Sequence, residues 1–300
     1  FVDMPLSRRC VNRCVFCYSD SVSEGPDVPA EDVLRDLLGE WRRGVRRVHF
    51  VGGEPTLHPR FPAILRSAKI IGFKTVVVTN GVRLSSFEYC RRVLPYMDEV
   101  IVSLHGHDAA IHDAMTARTG SYAWVMRTLE NVAGAGLGAH LSVNTTVTKS
   151  NLGSLLPIAR LIRRFGVRKY HGLHVVPLGR GNAGFADLSP RLKDCAIILP
   201  ELAEECWKSG IQLLLAGFPC CILGPYHRCS IDWSGEYERE RTSPGEVRFE
   251  KGPGEPDTFR IDLGRIKVAP CGRCALNSVC GGIFAEYYQR HGDTELEPFS

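Results

Sequence analysis

From residue 2 to about residue 215 the chain alternates short β-branched runs with longer segments of helical period, and this constrains its fold more than any other feature. The strand candidates are 2–6, 47–51, 74–79, 100–104, 139–147 and 172–176. Between and after them lie 30–43, 60–71, 86–95, 122–135, 152–165 and 189–209, each long enough for two or more helical turns. Strands that alternate with helices in this way build a parallel sheet, because parallel neighbours need a long crossover and a helix supplies it. The fold class is therefore α/β. Six βα units fall short of the eight that close a barrel.

Three hundred residues suit one large α/β domain or a barrel with a small appendage. A hydrophobic fraction of 44% beside 23% charged residues is ordinary for a globular protein. No apolar run approaches the roughly 20 residues of a membrane span. The first residues lack the basic start, apolar centre and small-residue cleavage site of a secretory signal, so a cytoplasmic chain is expected. In such a setting twelve cysteines with clustered spacings read as metal ligands before disulfides. The formal net charge is +4 with no basic block, so neither a nucleic-acid partner nor a membrane is expected. The basic pairs at Arg42, Arg46 and Arg163 read as solvated helix faces.

Just after the first strand candidate come Cys10, Cys14 and Cys17, a C-x3-C-x2-C triplet. Iron–sulfur clusters are normally held by four thiolates, and zinc favours paired knuckles that close a tetrahedron. A cubane on three protein thiolates keeps one iron open, which a structural site does not need. A structural zinc or cluster loop is the plainer alternative. The second strand candidate is followed by Gly52-Gly53-Glu54-Pro55, the third by Thr79-Asn80-Gly81, and the fourth contains Ser103 and runs on to His105. The fifth carries Asn144 among inward-facing polar positions, which are costly in a barrel interior unless hydrogen-bonded. The sixth leads into Gly179-Arg180-Gly181, where glycines admit a close backbone approach and Arg180 can pair with a carboxylate or face solvent.

The triplet, with aromatic Phe16 just before its third cysteine, and the G-G-E-P run about 35 residues later resemble the radical S-adenosylmethionine (SAM) superfamily. The resemblance implies a partial (β/α)6 TIM-like barrel over residues 1–215, open on one side, with the chemistry at the C-terminal strand ends. It implies that Cys10, Cys14 and Cys17 hold a 4Fe-4S cluster whose fourth iron chelates SAM. One electron, from a low-potential ferredoxin or flavodoxin, would then cleave SAM to methionine and a 5′-deoxyadenosyl radical. By the same resemblance Phe16, Gly52, Gly53, Glu54, Pro55, Asn80, Ser103, His105, Asn144 and Arg180 are the SAM-side residues, with the Glu54 carboxylate on the SAM ammonium. His105 stands where relatives carry a different polar residue, so ribose, substrate or loop orientation are all open to it.

After residue 215 the composition changes, and a second module spans 216–300. Its Cys271-x2-Cys274-x5-Cys280 run resembles the SPASM and twitch extensions of that superfamily, which bind auxiliary 4Fe-4S clusters. Phe284 occupies the place of a further SPASM cysteine, so one auxiliary cluster is expected. Cys221 is the expected fourth ligand by resemblance, ahead of Cys220 and Cys229, with zinc on the same thiols as the structural alternative. Cys90, Cys195 and Cys206 read as buried core thiols. The expected activity is hydrogen abstraction from a peptide or protein substrate, with a small natural product, sugar or nucleotide next, and a non-catalytic iron–sulfur carrier as the other class. The acidic 234–257 stretch reads as an extended loop or hairpin.

Overall fold

The computed structural model describes residues 1–136, 140–234, 247–251, 255–259 and 264–300. Seven strands form one parallel sheet: β1 (Val2–Pro5), β2 (Arg47–Val51), β3 (Lys74–Thr79), β4 (Glu99–Ser103), β5 (His140–Val147), β6 (Lys169–His174) and β7 (Gln212–Ala216). Their spatial order is their chain order, with β1 and β7 at the two edges, so the sheet is an open partial barrel. Helices α1 (Ala30–Arg42), α2 (Phe61–Ile71), α3 (Phe87–Val93), α4 (Ala109–Thr116), α5 (Ser121–Gly134) and α6 (Leu155–Ile162) carry the crossovers. After β6 the short turns α7 (Gly179–Ala183) and α8 (Phe185–Leu188) precede the long α9 (Leu192–Lys208).

Alternation within the strands sorts the side chains. Val100 and Val102 of β4, Val143 of β5 and Tyr170 of β6 are fully buried against the helices, with the Tyr170 hydroxyl donating to Thr145 Oγ1 at 3.0 Å. The alternate positions face the other way, into the partial barrel. That inner face is polar. Arg47 pairs with Glu99 at 2.6 Å, Ser142 Oγ donates to the same carboxylate at 2.6 Å, and His49 lies 3.4 Å from Asp3.

The six βα units stand as expected, and a seventh strand follows them. Its Gln-Leu-Leu-Leu-Ala run directly after a long helix has no β-branched residue, and pairing with β6 supplies what propensity does not. The strand ends one residue past the expected module boundary. Position 139, expected as the start of the fifth strand, and most of 234–257 lie outside the described residues. Within the latter, β8 (Val247–Lys251) and β9 (Glu255–Phe259) pair antiparallel, as the hairpin alternative has it.

The C-terminal segment packs onto the sheet. Phe284, in the short strand pair β10 (Arg265–Ile266) and β11 (Ile283–Phe284), is 1% exposed, its ring 5.3 Å from His174 and 6.1 Å from Phe185. Beyond it, Tyr287 accepts the Leu192 N–H at 2.8 Å, and Glu295 pairs with Arg191. Among the described residues no helix is long and apolar enough to cross a membrane.

Candidate active site

The cysteine loop sits at the C-terminal edge of the sheet and is gripped from three sides. Its own backbone closes a bridge from Cys10 N–H to Val22 O at 2.8 Å. Arg13 and Val15 donate to the carbonyls of Thr116 and Met115 at the end of α4, each at 3.0 Å, which ties the loop across the barrel mouth. Burial, then the nearby Glu54 carboxylate, pushes the Cys10 thiol up to about 11. Burial drives Cys14 higher still, with the charges of Cys10 and Cys17 adding to it. Burial also acts on Cys17, but hydrogen bonds from Ser19 and Ser21, at 3.4 and 3.3 Å, with the Arg180 charge, leave it lowered. Three thiols, one buried and two half-buried, whose charges would repel one another are what a cationic centre converts to thiolates, so this donor set fits an iron–sulfur cluster.

The Gly52-Gly53-Glu54-Pro55 run grips the loop from one side. Gly53 N–H donates to Ser7 O at 2.7 Å and Glu54 N–H to Arg9 O at 2.8 Å, extending the β1–β2 pairing past the strands. A Cβ on Gly53 would lie 2.3 Å from Arg9 O, and one on Gly52, which has φ +116°, 2.5 Å from Ser7 O. The glycines are thus required by the chain that leads into the cysteine loop, where the sequence suggested approach to the SAM ammonium. The Glu54 side chain also differs from expectation. It is fully buried, and its carboxylate accepts from Thr56 N (3.1 Å), Thr56 Oγ1 (2.6 Å), Thr79 Oγ1 (2.9 Å) and Asn80 N (2.7 Å). Oε1 accepts the first three and Oε2 the last, so the carboxylate fastens the second strand-end motif to the third. Pro55 opens a short 3-10 turn, Pro55–Leu57, and is buried.

Asn80 bridges from that fastening to the cluster loop. Its backbone is held by Glu54, and its side-chain amide donates to Cys10 Sγ at 3.4 Å. The sheet register places Ser103 opposite Asn144, and Asn144 opposite His171. Asn80, one step beyond the Thr79–Val102 pair, falls in the same row. Asn144 Oδ1 and His171 Nε2 are both buried without a hydrogen-bond partner, as is His49 Nε2 on β2. Burial holds His171 down to about 4 against the pull of Glu99, so its ring is neutral. His171 was missed in the sequence because 169–171 fell ahead of the expected strand start. Only the register puts it beside Asn144.

His105 is held on two sides by its neighbours. Its Nδ1 accepts the Thr146 N–H at 3.2 Å, its backbone N–H donates to His112 Nδ1 at 3.1 Å, and its ring packs edge-on against Phe16 at 4.6 Å. Burial holds its pKa well below the usual imidazole value. Phe16 is thereby buried as the wedge between the cysteine loop and β4.

The loop after β6 grips the cysteine loop from the other side. Arg180 N–H donates to Cys17 O at 3.0 Å, its Nε to Cys14 O at 3.0 Å, and its Nη1 to Asp20 Oδ1 at 2.9 Å. A Cβ on Gly179 would lie 2.6 Å from the carbonyl oxygens of Cys17 and Tyr18. The carboxylate partner expected for Arg180 exists and belongs to the protein. These glycines likewise make room for the cysteine loop, which is the close backbone approach they admit.

The C-terminal cysteines gather at a separate hollow lined by Cys220, Cys221, Cys271, Cys274, Cys280 and the prolines Pro219 and Pro270. Burial pushes Cys221 up to about 12, with Cys280, Cys274 and Cys271 contributing in that order, so the four face one region. Cys229 sits instead beside Cys206. Among the described residues, the one group of three possible ligands with atoms within 4.8 Å of each other is Cys220, Asp232 and Cys280. A tetrahedral zinc with bonds of about 2.3 Å brings its sulfurs to about 3.8 Å apart. Neither expected cysteine set is drawn in that tightly.

An open parallel α/β sheet with a three-thiol loop clamped at its C-terminal edge defines a cluster-binding enzyme scaffold of the partial-barrel kind. The chain belongs to the Radical SAM superfamily, whose family model matches residues 4–162. It is 32% identical over 186 residues to the mycofactocin maturase MftC of Mycobacterium tuberculosis, a stretch that is 62% of this chain and 47% of that protein. It is 28% identical to the AdoMet-dependent heme synthase of Nitratidesulfovibrio vulgaris over an alignment covering 97% of this chain and 89% of that one. The chain spans about half the length of the mycofactocin maturases it matches. Among solved structures, Streptococcus suis SuiB bound to precursor peptide SuiA shares the fold, with a TM-score of 0.64 at 15% identity over 99% of this chain and 76% of that one.

Proposed function

We propose that this chain binds a 4Fe-4S cluster through Cys10, Cys14 and Cys17, with SAM on the open iron, and abstracts a hydrogen atom from a peptide or protein substrate. The observation that carries the proposal is the cysteine loop, three clustered thiols fixed from both sides by strand-end motifs. When bound, the cluster and SAM supply one-electron cleavage and a carbon radical. The chain's own residues do the rest. Gly52–Pro55 and Gly179–Gly181 hold the loop rigid, Asn80 steadies Cys10, and Ser103 and Asn144 offer polar groups to SAM from the adjoining row. A ferredoxin or flavodoxin of low potential donates the electron.

The inner face of the sheet is the place for substrate, since His49, Asn144 and His171 leave three buried polar atoms there without partners. The peptide reading is supported by the maturase relative and by the peptide-bound SuiB of like fold. The division into a barrel over 1–215 and a one-cluster module over 216–300, liganded by Cys221, Cys271, Cys274 and Cys280, belongs to the same proposal. A small-molecule substrate is the second reading, favoured by the heme synthase that aligns along nearly the whole chain. Anaerobic incubation with SAM, reductant and candidate peptides or metabolites, read by mass spectrometry, tests both. Formation of 5′-deoxyadenosine is expected from the wild type and none from the variant with Cys10, Cys14 and Cys17 all changed to Ala. Equal formation by the two would sink the proposal.

A further inference from the structure

Gly281 and Gly282 follow Cys280, and the turn they make is pressed onto β10. Gly282 has φ +88°, and a Cβ on it would lie 2.1 Å from Ile266 O, so the turn requires glycine. Arg265, on the same strand, clasps that turn. Its Nη2 and Nε donate to Gly282 O at 3.0 and 3.2 Å. The same guanidinium takes both oxygens of Asp232, at 3.0 and 2.7 Å, and Gly281 N–H donates to one of them at 2.8 Å. The two side chains are only 10% and 15% exposed. A planar fork that meets a carboxylate at two points fixes direction as well as charge. Lys267, two residues on, donates to the carbonyls of Asn277 and Cys280. Held in this way, the turn sets Gly282 N–H 3.4 Å from Cys280 Sγ, and Cys220 N–H reaches the same sulfur from another segment at 3.3 Å. A carboxylate oxygen of Asp232 lies within 4.8 Å of that sulfur, with Arg265 neutralising its charge.

Cys280 shares its hollow with Cys221, Cys271 and Cys274, and thiolates are the ligands that iron–sulfur clusters take. We propose that the Arg265–Asp232 ion pair positions Cys280 on the auxiliary cluster, keeping two backbone N–H groups aimed at its sulfur and so raising the cluster's reduction potential. This rests on the auxiliary-cluster reading above. Reduction adds negative charge that spreads onto the ligand sulfurs, and N–H donors to them stabilise the reduced form. The pair itself carries no net charge, so it acts through the geometry that it imposes on the turn.

The test uses the full chain with Cys10, Cys14 and Cys17 all changed to Ala, reconstituted anaerobically, so that only the auxiliary cluster reports. Arg265→Lys and Arg265→Gln are compared in that background by iron content and by redox titration followed with electron paramagnetic resonance. Lysine keeps the charge but cannot span both Asp232 oxygens and Gly282 O. Both variants should therefore titrate at more negative potentials than their parent. Unshifted potentials in both overturn the inference. So does a shift in Arg265→Gln alone, which would mean that the charge acts and the fork does not. Should a variant hold no iron, urea unfolding of its apoprotein decides. An unchanged midpoint leaves the placing of Cys280 as the cause and supports the inference, whereas a collapsed midpoint makes the pair a brace of the fold and overturns it. A parent chain that binds no iron, or zinc in its place, is a different result and removes the auxiliary-cluster reading on which the inference stands.

Discussion

Glu54 ties two strand-end motifs together beside the cysteine loop. All four of its hydrogen-bond partners are donors, two hydroxyls and two backbone N–H groups. Glu54→Gln keeps the shape but sets an NH2 group against at least one of them, leaving buried donors unmatched. Such a mismatch costs about 1–3 kcal/mol. The expected outcome is a lower midpoint in urea unfolding of the apoprotein, with SAM affinity of any folded, cluster-loaded fraction nearly unchanged. Unaltered stability with weakened SAM binding would return the carboxylate to the ammonium contact first expected of it. The identity of this residue was plain in the sequence, and so was its place at a strand end. Which way its side chain turns was not, because that depends on Thr79 and Asn80, brought alongside by the β2–β3 pairing.

The strand-end segments act as a pair of jaws, and the glycines in them are where chain meets chain. Gly53→Ala would drive a methyl to 2.3 Å from Arg9 O, a backbone atom that cannot swing aside. Overpacking of this sort costs about 1–3 kcal/mol or more. We expect that loss in apoprotein stability together with fewer irons retained per chain after desalting. The matched control is Gly39, inside α1 with nothing within 4 Å of the added methyl. There Gly39→Ala should stabilise by about 0.5–1 kcal/mol, with iron retention unchanged. Equal effects at the two sites would mean that Gly53 is an ordinary turn glycine. A sequence reveals that a glycine is needed and not what approaches it, which is why Gly52 and Gly53 were first matched to the cofactor. The helices were easier to read. α1, α2, α5 and α9 lie within a few residues of where their apolar period put them, since each buries one stripe against the sheet. β7 was hidden because a leucine-rich run after a helix looks like more helix until β6 is there to pair with it.

At the scale of the molecule, the C-terminal segment is docked by Phe284, which fills the space among His174, Phe185 and Gly217. The absence of a cysteine at this position was read from the sequence as one cluster fewer. The structure adds that an aromatic ring does a packing job there. Phe284→Ala should cost about 3–5 kcal/mol and separate the unfolding of the two halves in calorimetry. A single unshifted transition would show the contact to be incidental. The grip on the cysteine loop has a consequence of another kind. Arg180 reaches Cys14 O across 166 residues of sequence, whereas the three cysteines themselves lie within eight. On a ribosome adding about 5–20 residues per second, the thiols therefore emerge several seconds or more before the jaw that encloses them. The delivery of iron has a natural order imposed on it: a carrier that loads the nascent chain meets a loose and exposed loop, and one that waits for the finished protein meets a closed one.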